Sequence, residues 1–533
     1  MTVRTLIIGS GPCTDQIATA LLAAGMEVCI AAKDEPVDLP LTFPGDGNGY
    51  PAEILGGARI LSCRGVVGDF KVTLERTGET FCRTAANIII AEEAESKPNF
   101  SLYNLVPSSN VISISEVADF FNTAEGKMIR HPSSGVIVFL SGLVEESHPV
   151  ITEKIMRHGL QLQQDAGLQT FILTQNLKVA GDGLEALYRE TKRAGATYIK
   201  FARTTPRIHQ DKEGRVSIEF TDELTRQAFC LNPDLTVVDE TVSAGEYLTN
   251  LAEIFGLDRD PDGFVQTGNV HRMCTLTNRK GIIVAGPARQ IQSPEYHIID
   301  AGNAAISAIE LVRGNVVKTE KAAEIEPGRC ARCLTCYRCC PHRAIALDIR
   351  PKIIKQACEG CAICIAECPA LAIHMEGYDL SPTLGHTSNR RPRSGQEPFV
   401  PFLIIFCCSR SASRARALAT SMGYKLPQDF KVIEVPCAGS ISMSHIFTAF
   451  EQDADGVLIL TCHEGNCHSE KGNIYAQRRV DTAIKLFSKV GFEKERLKVD
   501  TIASNMGKEF ADFSTGLEKT LYALGPSRLK SDF

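Results

Sequence analysis

Apolar and polar positions switch between two periods along this chain. Thr5–Ile8 is a continuous apolar run, Gly9–Pro12 a glycine-rich turn, Gln16–Ala24 has helical spacing closed by Gly25, and Val28–Ala31 is apolar again. That order predicts strand, tight turn, helix, strand. Lys71–Glu75 alternates around Val72 and Leu74, as a half-exposed strand does, whereas Asn87–Ala91 reads as a buried one. From Gly135 onward the pattern predicts strands at Val136–Leu140, Thr170–Thr174 and Tyr198–Phe201, separated by helices at Val150–Ala166 and Asp182–Ala194. This alternation implies a parallel, doubly wound sheet. Asn303–Val312 is an Ala-rich amphipathic helix, and Lys318–Pro327 a charged connector.

Between Asp379 and Pro398 the aliphatic content falls away in favour of Ser, Pro, Gly, His and Arg, the composition of a linker. A further α/β unit follows, with strands at Phe402–Phe406, Lys431–Val435 and Gly456–Leu460 and helices at Ser444–Glu451 and Ile474–Lys489. The 533 residues are enough for several separate cores. Apolar residues at 44% and charged residues at 23% exclude a disordered or collagen-like chain. The longest apolar runs fall far short of the roughly 18 residues that a membrane span requires. A net charge of −6 provides no basic field for nucleic acid, and Arg390, Arg391 and Arg393 form only a short local run.

Cysteine changes the picture. An even spread of 20 would put about 1.5 in a window of 39 residues, yet nine fall between 330 and 368 and five more between 407 and 467. The amino terminus enters a strand pattern at Val3 without a basic, apolar leader, so a reducing cytoplasm is expected, reaching an inner membrane face only through partners. Clustered cysteines in that compartment are metal ligands rather than disulfides. Cys330, Cys333, Cys336 and Cys340 have the spacing C-x2-C-x2-C-x3-C before Pro341, and Cys358, Cys361, Cys364 and Cys368 repeat it before Pro369. In this pattern the fourth cysteine serves the other cluster. Cys330, Cys333, Cys336 and Cys368 are thus expected to hold one [4Fe-4S] cluster, and Cys358, Cys361, Cys364 and Cys340 a second. Zinc ribbons, which use well-separated C-x2-C pairs, fit poorly. Cys339 is surplus and reads as a buried thiol. The block resembles bacterial dicluster ferredoxins, and without a nucleophile or base beside it, it reads as a wire.

Gly9-Ser10-Gly11-Pro12 matches the first half of a dinucleotide fingerprint. Thr14 replaces its third glycine, and Ala32 stands where an acid would bind ribose hydroxyls. Gly68-Asp69-Phe70-Lys71-Val72, Gly181–Tyr188, Asp262-Gly263-Phe264 and Gly281–Gly286 together resemble the A-type flavoprotein subunit of heterodisulfide reductases, over residues 3–378. The resemblance implies an FAD approached by Gly9, Gly11 and Gly286, and a role in relaying or splitting electron pairs. The chain departs from it at Ala91-Glu92-Glu93 and Asp239-Glu240, whose carboxylates would repel a pyrophosphate unless cations intervene. Two readings stand: bound FAD, or a Rossmann-like scaffold emptied of cofactor. The local chemistry favours weak or absent FAD.

Phe406-Cys407-Cys408, Cys437-Ala438-Gly439 and Cys462–His468 each follow an apolar strand, which collects their thiols at the carboxy ends of neighbouring strands. With Gly472-Asn473 and Arg478-Arg479-Val480 they resemble the delta subunit of methyl-viologen-reducing hydrogenase over residues 402–510. That resemblance implies a [2Fe-2S] cluster and traffic between hydrogenase or formate dehydrogenase and heterodisulfide reductase. Ser411 occupies the last position of the usual F-C-C-x-x-C opening, so four of Cys407, Cys408, Cys437, Cys462 and Cys467 are expected to ligate. A zinc site using Cys462, Cys467 and a histidine, or a metal-free thiol set, are the alternatives. His463 and His468 read as neighbours rather than ligands.

The expected architecture is α/β. A degenerate Rossmann-like flavoprotein domain spans residues 1–318, a ferredoxin-like dicluster α+β insert 319–379, a linker 380–398, and an α/β iron-sulfur domain 399–533. The same arrangement resembles the B-type subunit of quinone-modifying oxidoreductases. The implied function is an iron-sulfur electron-transfer subunit without catalytic residues of its own. Its partners would be heterodisulfide reductase-like, hydrogenase, formate dehydrogenase or quinone-modifying subunits. The alternative is a scaffold that organises a redox complex without carrying electrons.

Overall fold

A computed structural model of the chain describes residues 4–35, 52–123, 135–223, 225–265, 269–313, 322–380 and 398–527. Strand β1 (Arg4–Ile8) leads through Gly9 into helix α1 (Pro12–Ala23) and back into β2 (Glu27–Ala31). The helix starts earlier than its apolar spacing predicts, because Pro12 carries no N–H to leave unpaired and is suited to the first helical position. With β3 (Ala52–Leu55), β7 (Asn87–Ile90) and the strand Ile282–Val284, these form a fully parallel sheet in the order Ile282–Val284, β7, β1, β2, β3. The fully buried β7 supplies the centre of the apolar layer that α1 and the Ala-rich face of a long helix, Pro294–Val312, cover. That helix begins well before Asn303, the start its apolar pattern predicts. The pattern predicts only Lys71–Glu75 as a strand between β3 and β7, but β4 (Arg59–Val66), β5 (Asp69–Arg76) and β6 (Glu79–Ala85) form an antiparallel meander there. Its turns at Gly68 and Gly78 have φ of 92° and 82°, values that glycine adopts without strain.

The chain divides into two units. Residues 93–245 and 291–296 form one; residues 1–92, 246–290 and 297–533 form the other. The first contains the expected doubly wound sheet, in the order Thr197–Lys200, Gln169–Thr174, Val136–Ser141, Leu235–Val238 and Val111–Ser113, with every pair parallel. It also holds a three-stranded antiparallel ladder, Arg207–Gln210, Val216–Thr221 and Ala228–Leu231, which carries little sequence signal because its alternation is short and interrupted by charges.

In the larger unit the cysteine block is built from two short ladders, Ala323–Ile325 with Ile373–Met375 and Ile345–Leu347 with Pro351–Ile353, and two short helices, Thr335–Cys339 and Ile363–Ala366. Its halves repeat in backbone detail. Leu334 and Ala362 precede the helices with φ of 59° and 58°, and Arg343 and Leu371 sit at 51° and 49°. The carboxy-terminal domain carries Leu403–Cys408, Phe430–Val435, Gly456–Thr461 and Leu497–Thr501 in a parallel sheet, with helices including Met443–Glu451, Gly472–Lys489 and Gly507–Leu524. The expected linker lies outside the described residues except at its ends, as does the run Arg390, Arg391 and Arg393. Leu380, at the near end, is buried in the carboxy-terminal core. No helix among the described residues is long and apolar enough to cross a membrane.

Gly9 has φ of 145°, and a Cβ there would overlap the carbonyl of Ala91 and lie 2.7 Å from Thr14 Oγ1. Gly9→Ala should destabilise this unit by about 2–4 kcal/mol, from the strained dihedral and the backbone overlap, read as a lowered denaturation midpoint.

Candidate metal centres

The cysteine block gathers its thiols in two crossed groups. Cys336 lies within charge interaction of Cys330, Cys333 and Cys368. Cys340, Cys358, Cys361 and Cys364 line one small cavity of about 20 Å³. The fourth cysteine of each motif therefore stands with the first three of the other. Backbone N–H groups already point at these sulfurs at equivalent places: Ala344 donates to Cys340 Sγ at 3.4 Å and Ala372 to Cys368 Sγ at 3.3 Å. Burial, reinforced by the neighbouring cysteines, holds the Cys361 and Cys364 thiols well above their ordinary range. Such a group loses its protons readily only when a cation shares the site, so the donor set suits a cationic iron-sulfur core. Cys339 is buried, its Sγ set 3.4 Å from the carbonyl of Cys336.

In the carboxy-terminal domain the alternation of strand side chains separates two adjacent cysteines. Cys408 faces the layer that holds Cys437, Cys462 and Cys467, whereas Cys407 faces the opposite layer, among Leu403, Ile405, Ala412 and Leu460. Four of the five expected thiols are brought together, and Cys407 is the one left out. Cys408 Sγ lies 3.6 Å from Cys462 Sγ, and Ser411 Oγ, in the place of the missing cysteine, lies 3.3 Å from the same sulfur. Within the set, Cys408 and Cys467 accept hydrogen bonds from neighbouring thiols and are held low, while Cys462 and Cys437 donate them and are held high. Backbone N–H groups of Arg410 and Ser411 stabilise the Cys408 thiolate, and those of Asn473 and Ser469 that of Cys467. Asn473 belongs to the first turn of Gly472–Lys489, whose amino-terminal dipole favours negative charge. Gly472 is required there, since a Cβ would overlap Cys437 Sγ. Among the described residues, no group of three or more His, Cys, Asp or Glu side chains is gathered to the geometry of a single metal ion.

Several supporting residues carry no sequence signal, because their partners are distant in the chain. Asn269 Nδ2 donates to the carbonyl of Cys467 at 2.9 Å, and the nearby Arg272 pairs with Glu470. His468 stacks edge-on against His271, with ring centroids 6.2 Å apart, and His463 Nε2 lies 3.3 Å from Met506 Sδ. The block and the carboxy-terminal domain share a core: Cys339, Ile363, Cys361 and Cys364 pack with Cys408, Cys437, Cys462 and Cys467. Buried Arg479 donates to the carbonyls of Gly439 at 2.8 Å and Ile441 at 2.7 Å, and pairs with Glu367 of the block. Tyr378 donates to the carbonyl of Ser440 at 2.8 Å.

The glycines expected to meet FAD serve the chain's own packing. Gly9 lets the turn approach β7, and a Cβ at Gly286, where φ is 59°, would lie 2.7 Å from Cys13 Sγ. Gly11 caps α1 in extended backbone. Ala32 is fully buried and offers no ribose acceptor. The carboxylates behind the expected repulsion each have local partners. Glu92 is buried against Lys33, with an N···O distance of 3.1 Å. In the smaller unit, Asp239 accepts from Asn99, Tyr103, Ser147 and the N–H of Gly142, and Glu240 accepts from Ser96 and Ser115. Lys33 offsets the charge of Glu92, whereas the donors to Asp239 and Glu240 are neutral and solvate those charges without cancelling them.

Residues 403–525 match the family of the methyl-viologen-reducing hydrogenase delta subunit. Over 134 residues, 25% of this chain, the sequence is 34% identical to the D-type iron-sulfur subunit of the F420-non-reducing hydrogenase of Archaeoglobus profundus and covers 98% of it. Over 362 residues, 67% of this chain, it is 23% identical to the A-type subunit of the ferredoxin:CoB-CoM heterodisulfide reductase of Methanosarcina mazei, covering 45% of that protein. The thioredoxin reductase of T. acidophilum aligns with a TM-score of 0.41 at 15% identity, over 59% of this chain and 98% of that one. The chain belongs, through its carboxy-terminal domain, to the hydrogenase delta subunit family, and it joins that domain to a region similar to the A-type subunit of heterodisulfide reductase. The relatives are oxidoreductase subunits, and the chain spans about half the length of the heterodisulfide reductase subunits it matches.

Cys407→Ala should leave the metal content of this domain unchanged and cost about 1–2 kcal/mol in packing, whereas Cys408→Ser should abolish the cluster signal in electron paramagnetic resonance. The reverse outcome would return Cys407 to the ligand set.

Proposed function

We propose that the chain is an electron-transfer subunit of a complex of the heterodisulfide reductase or hydrogenase type, with bond-making chemistry on partner subunits. The observation that carries this reading is the common core in which Cys361 and Cys364 of the block pack with Cys408, Cys437, Cys462 and Cys467. In this reading Cys330, Cys333, Cys336 and Cys368 hold one [4Fe-4S] cluster, Cys358, Cys361, Cys364 and Cys340 a second, and Cys408, Cys437, Cys462 and Cys467 a [2Fe-2S] cluster. When bound, such clusters supply reversible one-electron transfer. The chain's residues hold the thiolates, exclude water from the two inner sets, and fix their separation through Arg479, Glu367 and Tyr378. The ferredoxin-like segment 319–379 and the domain 399–533 act in this scheme as one inserted wire and its terminus.

Anaerobically prepared protein should carry about eight iron atoms in the block and about two in the carboxy-terminal domain, with matching acid-labile sulfide. Cys340→Ser should damage the same cluster as Cys358→Ser and spare the one held by Cys330. Loss of the Cys330 cluster alone would refute the crossed assignment, and zinc without sulfide would refute the wire.

FAD binding is expected to be weak or absent, because Ala32 offers no ribose acceptor and the carboxylates near the expected phosphates add negative charge. Loss of a hydrogen bond to a charged acceptor, worth about 1.5–3 kcal/mol, weakens binding roughly ten- to a hundredfold. Denaturing the washed chain should release FAD far below one per chain; stoichiometric FAD would assign it two-electron chemistry.

A further inference from the structure

Ser411 stands where a helix should be capped, yet its side chain does not cap. It is the N-cap residue of the helix Ala412–Ser421, and its carbonyl accepts a helical hydrogen bond from the N–H of Ala415 at 3.0 Å. A serine at this position ordinarily turns its side-chain oxygen back to accept from an N–H of the first turn. The Ser411 side chain makes no such bond. It is turned inward, 1% exposed, with Oγ 3.3 Å from Cys462 Sγ and a further hydrogen-bond contact to Cys408. The hydroxyl thus forgoes a favourable local partner for sulfurs of the inner thiol set.

The chemistry of the pair decides which atom donates. A thiolate has no proton, so toward a ligating sulfur the serine hydroxyl can only donate. It carries a single proton, and Cys462 Sγ is the partner that the geometry gives it. Backbone N–H groups serve Cys408 and Cys467, whereas at Cys462 the donor is a side chain that substitution can remove. The loop is anchored beside it, since Ser409 Oγ donates to the carbonyl of Pro436 at 3.1 Å. Cys408 and Cys462 are both buried, and away from water a hydrogen bond to charged sulfur is strengthened. Hydrogen bonds to the sulfurs are among the factors that set the potential of an iron-sulfur centre, because a donor stabilises the more negative, reduced form.

We infer that Ser411 is a positioning residue of the carboxy-terminal centre, whose hydroxyl donates to the Cys462 thiolate and raises the reduction potential of the [2Fe-2S] cluster. The inference rests on the proposed assignment of Cys408, Cys437, Cys462 and Cys467 as the ligands. It gives a residue outside the ligand set control over the energy of one station in the relay.

The test is a redox titration of the full, anaerobically prepared chain. It is followed by electron paramagnetic resonance at a temperature where the [2Fe-2S] signal persists and the [4Fe-4S] signals have broadened. In Ser411→Ala, iron and sulfide should stay at the wild-type level while the equilibrium constant for one-electron reduction falls roughly tenfold, a lowering of about 59 mV in midpoint potential. Ser411→Thr keeps the hydroxyl and should restore the wild-type potential. Pulsed resonance after exchange into deuterium oxide provides a measurement independent of the threonine variant: one exchangeable-proton coupling to the reduced cluster should be present in the wild type and missing from Ser411→Ala. An unmoved potential in a Ser411→Ala chain that keeps its cluster, or an equal shift in the alanine and threonine variants, would overturn the donor role. Loss of iron from Ser411→Ala would also overturn it, making Ser411 a ligand or a structural prop. A wild-type chain with no [2Fe-2S] signal would overturn the ligand assignment itself, and the donor role with it.

Discussion

Repulsion between thiolates packed within a few ångströms is the constraint to which the larger unit answers. Bringing Cys340, Cys358, Cys361 and Cys364 into one small cavity, or Cys408, Cys437, Cys462 and Cys467 to one end of a sheet, is unfavourable for charged sulfur unless positive charge is supplied. The protein supplies part of it from its backbone. The turn after each Cys-Pro pair aims an N–H, of Ala344 or Ala372, at the sulfur of that cysteine, and the loop at Arg410 and Ser411 and the first turn of Gly472–Lys489 do the same in the carboxy-terminal domain. Few cationic side chains are enlisted for this at the inner sets. Arg479, the guanidinium buried between them, directs its hydrogen bonds to two carbonyls and Glu367. In the proposed assignment the remaining charge comes from iron.

Arg479 therefore has a mechanical rather than an electrostatic task. Its three acceptors belong to the loop that follows Cys437 and to the helix end that precedes Cys368, so a single buried side chain ties the two thiol-bearing segments together. Gly439 adds to this by close approach: a Cβ there would come within 2.9 Å of Ile363 and 2.8 Å of the Gly472 backbone. A relay whose rate depends on the separation of its centres needs a contact of this kind, dry and without slack.

The features legible in the sequence are those written in local order. The C-x2-C-x2-C-x3-C-P repeats, the strand-turn-helix at Gly9 and the parallel sheets all follow from spacing within a few tens of residues. Cys407 and Cys408 are also separable in principle, since neighbours on a strand face opposite ways. A strand taken to end at Phe406 hides that alternation; the strand runs through Cys408. Arg479, Asn269 and Arg272 are out of reach because their partners lie far along the chain. The carboxylates are only partly legible for another reason. Glu92, Asp239 and Glu240 look alike as bare charges, but their neighbours differ: Lys33 offsets the first, while hydroxyl, amide and N–H donors only solvate the others.

The block shows how one motif acquires two roles. Its halves agree in backbone detail, down to left-handed residues at Leu334 and Ala362 and at Arg343 and Leu371. Ligand spacing cannot distinguish them. Their surroundings do: the helix Ile363–Ala366 turns an apolar side chain, Ile363, into the carboxy-terminal core, while Arg332 on the loop beside Cys333 and Arg338 on the helix Thr335–Cys339 are exposed. In the proposed electron-transfer role, an internal repeat offers two equivalent stations for an electron, whereas a wire needs two inequivalent ends. Here the inequivalence comes from packing on one side and exposed arginines on the other, so polarity can change by substitution outside the ligand set while the thiol cages stay fixed.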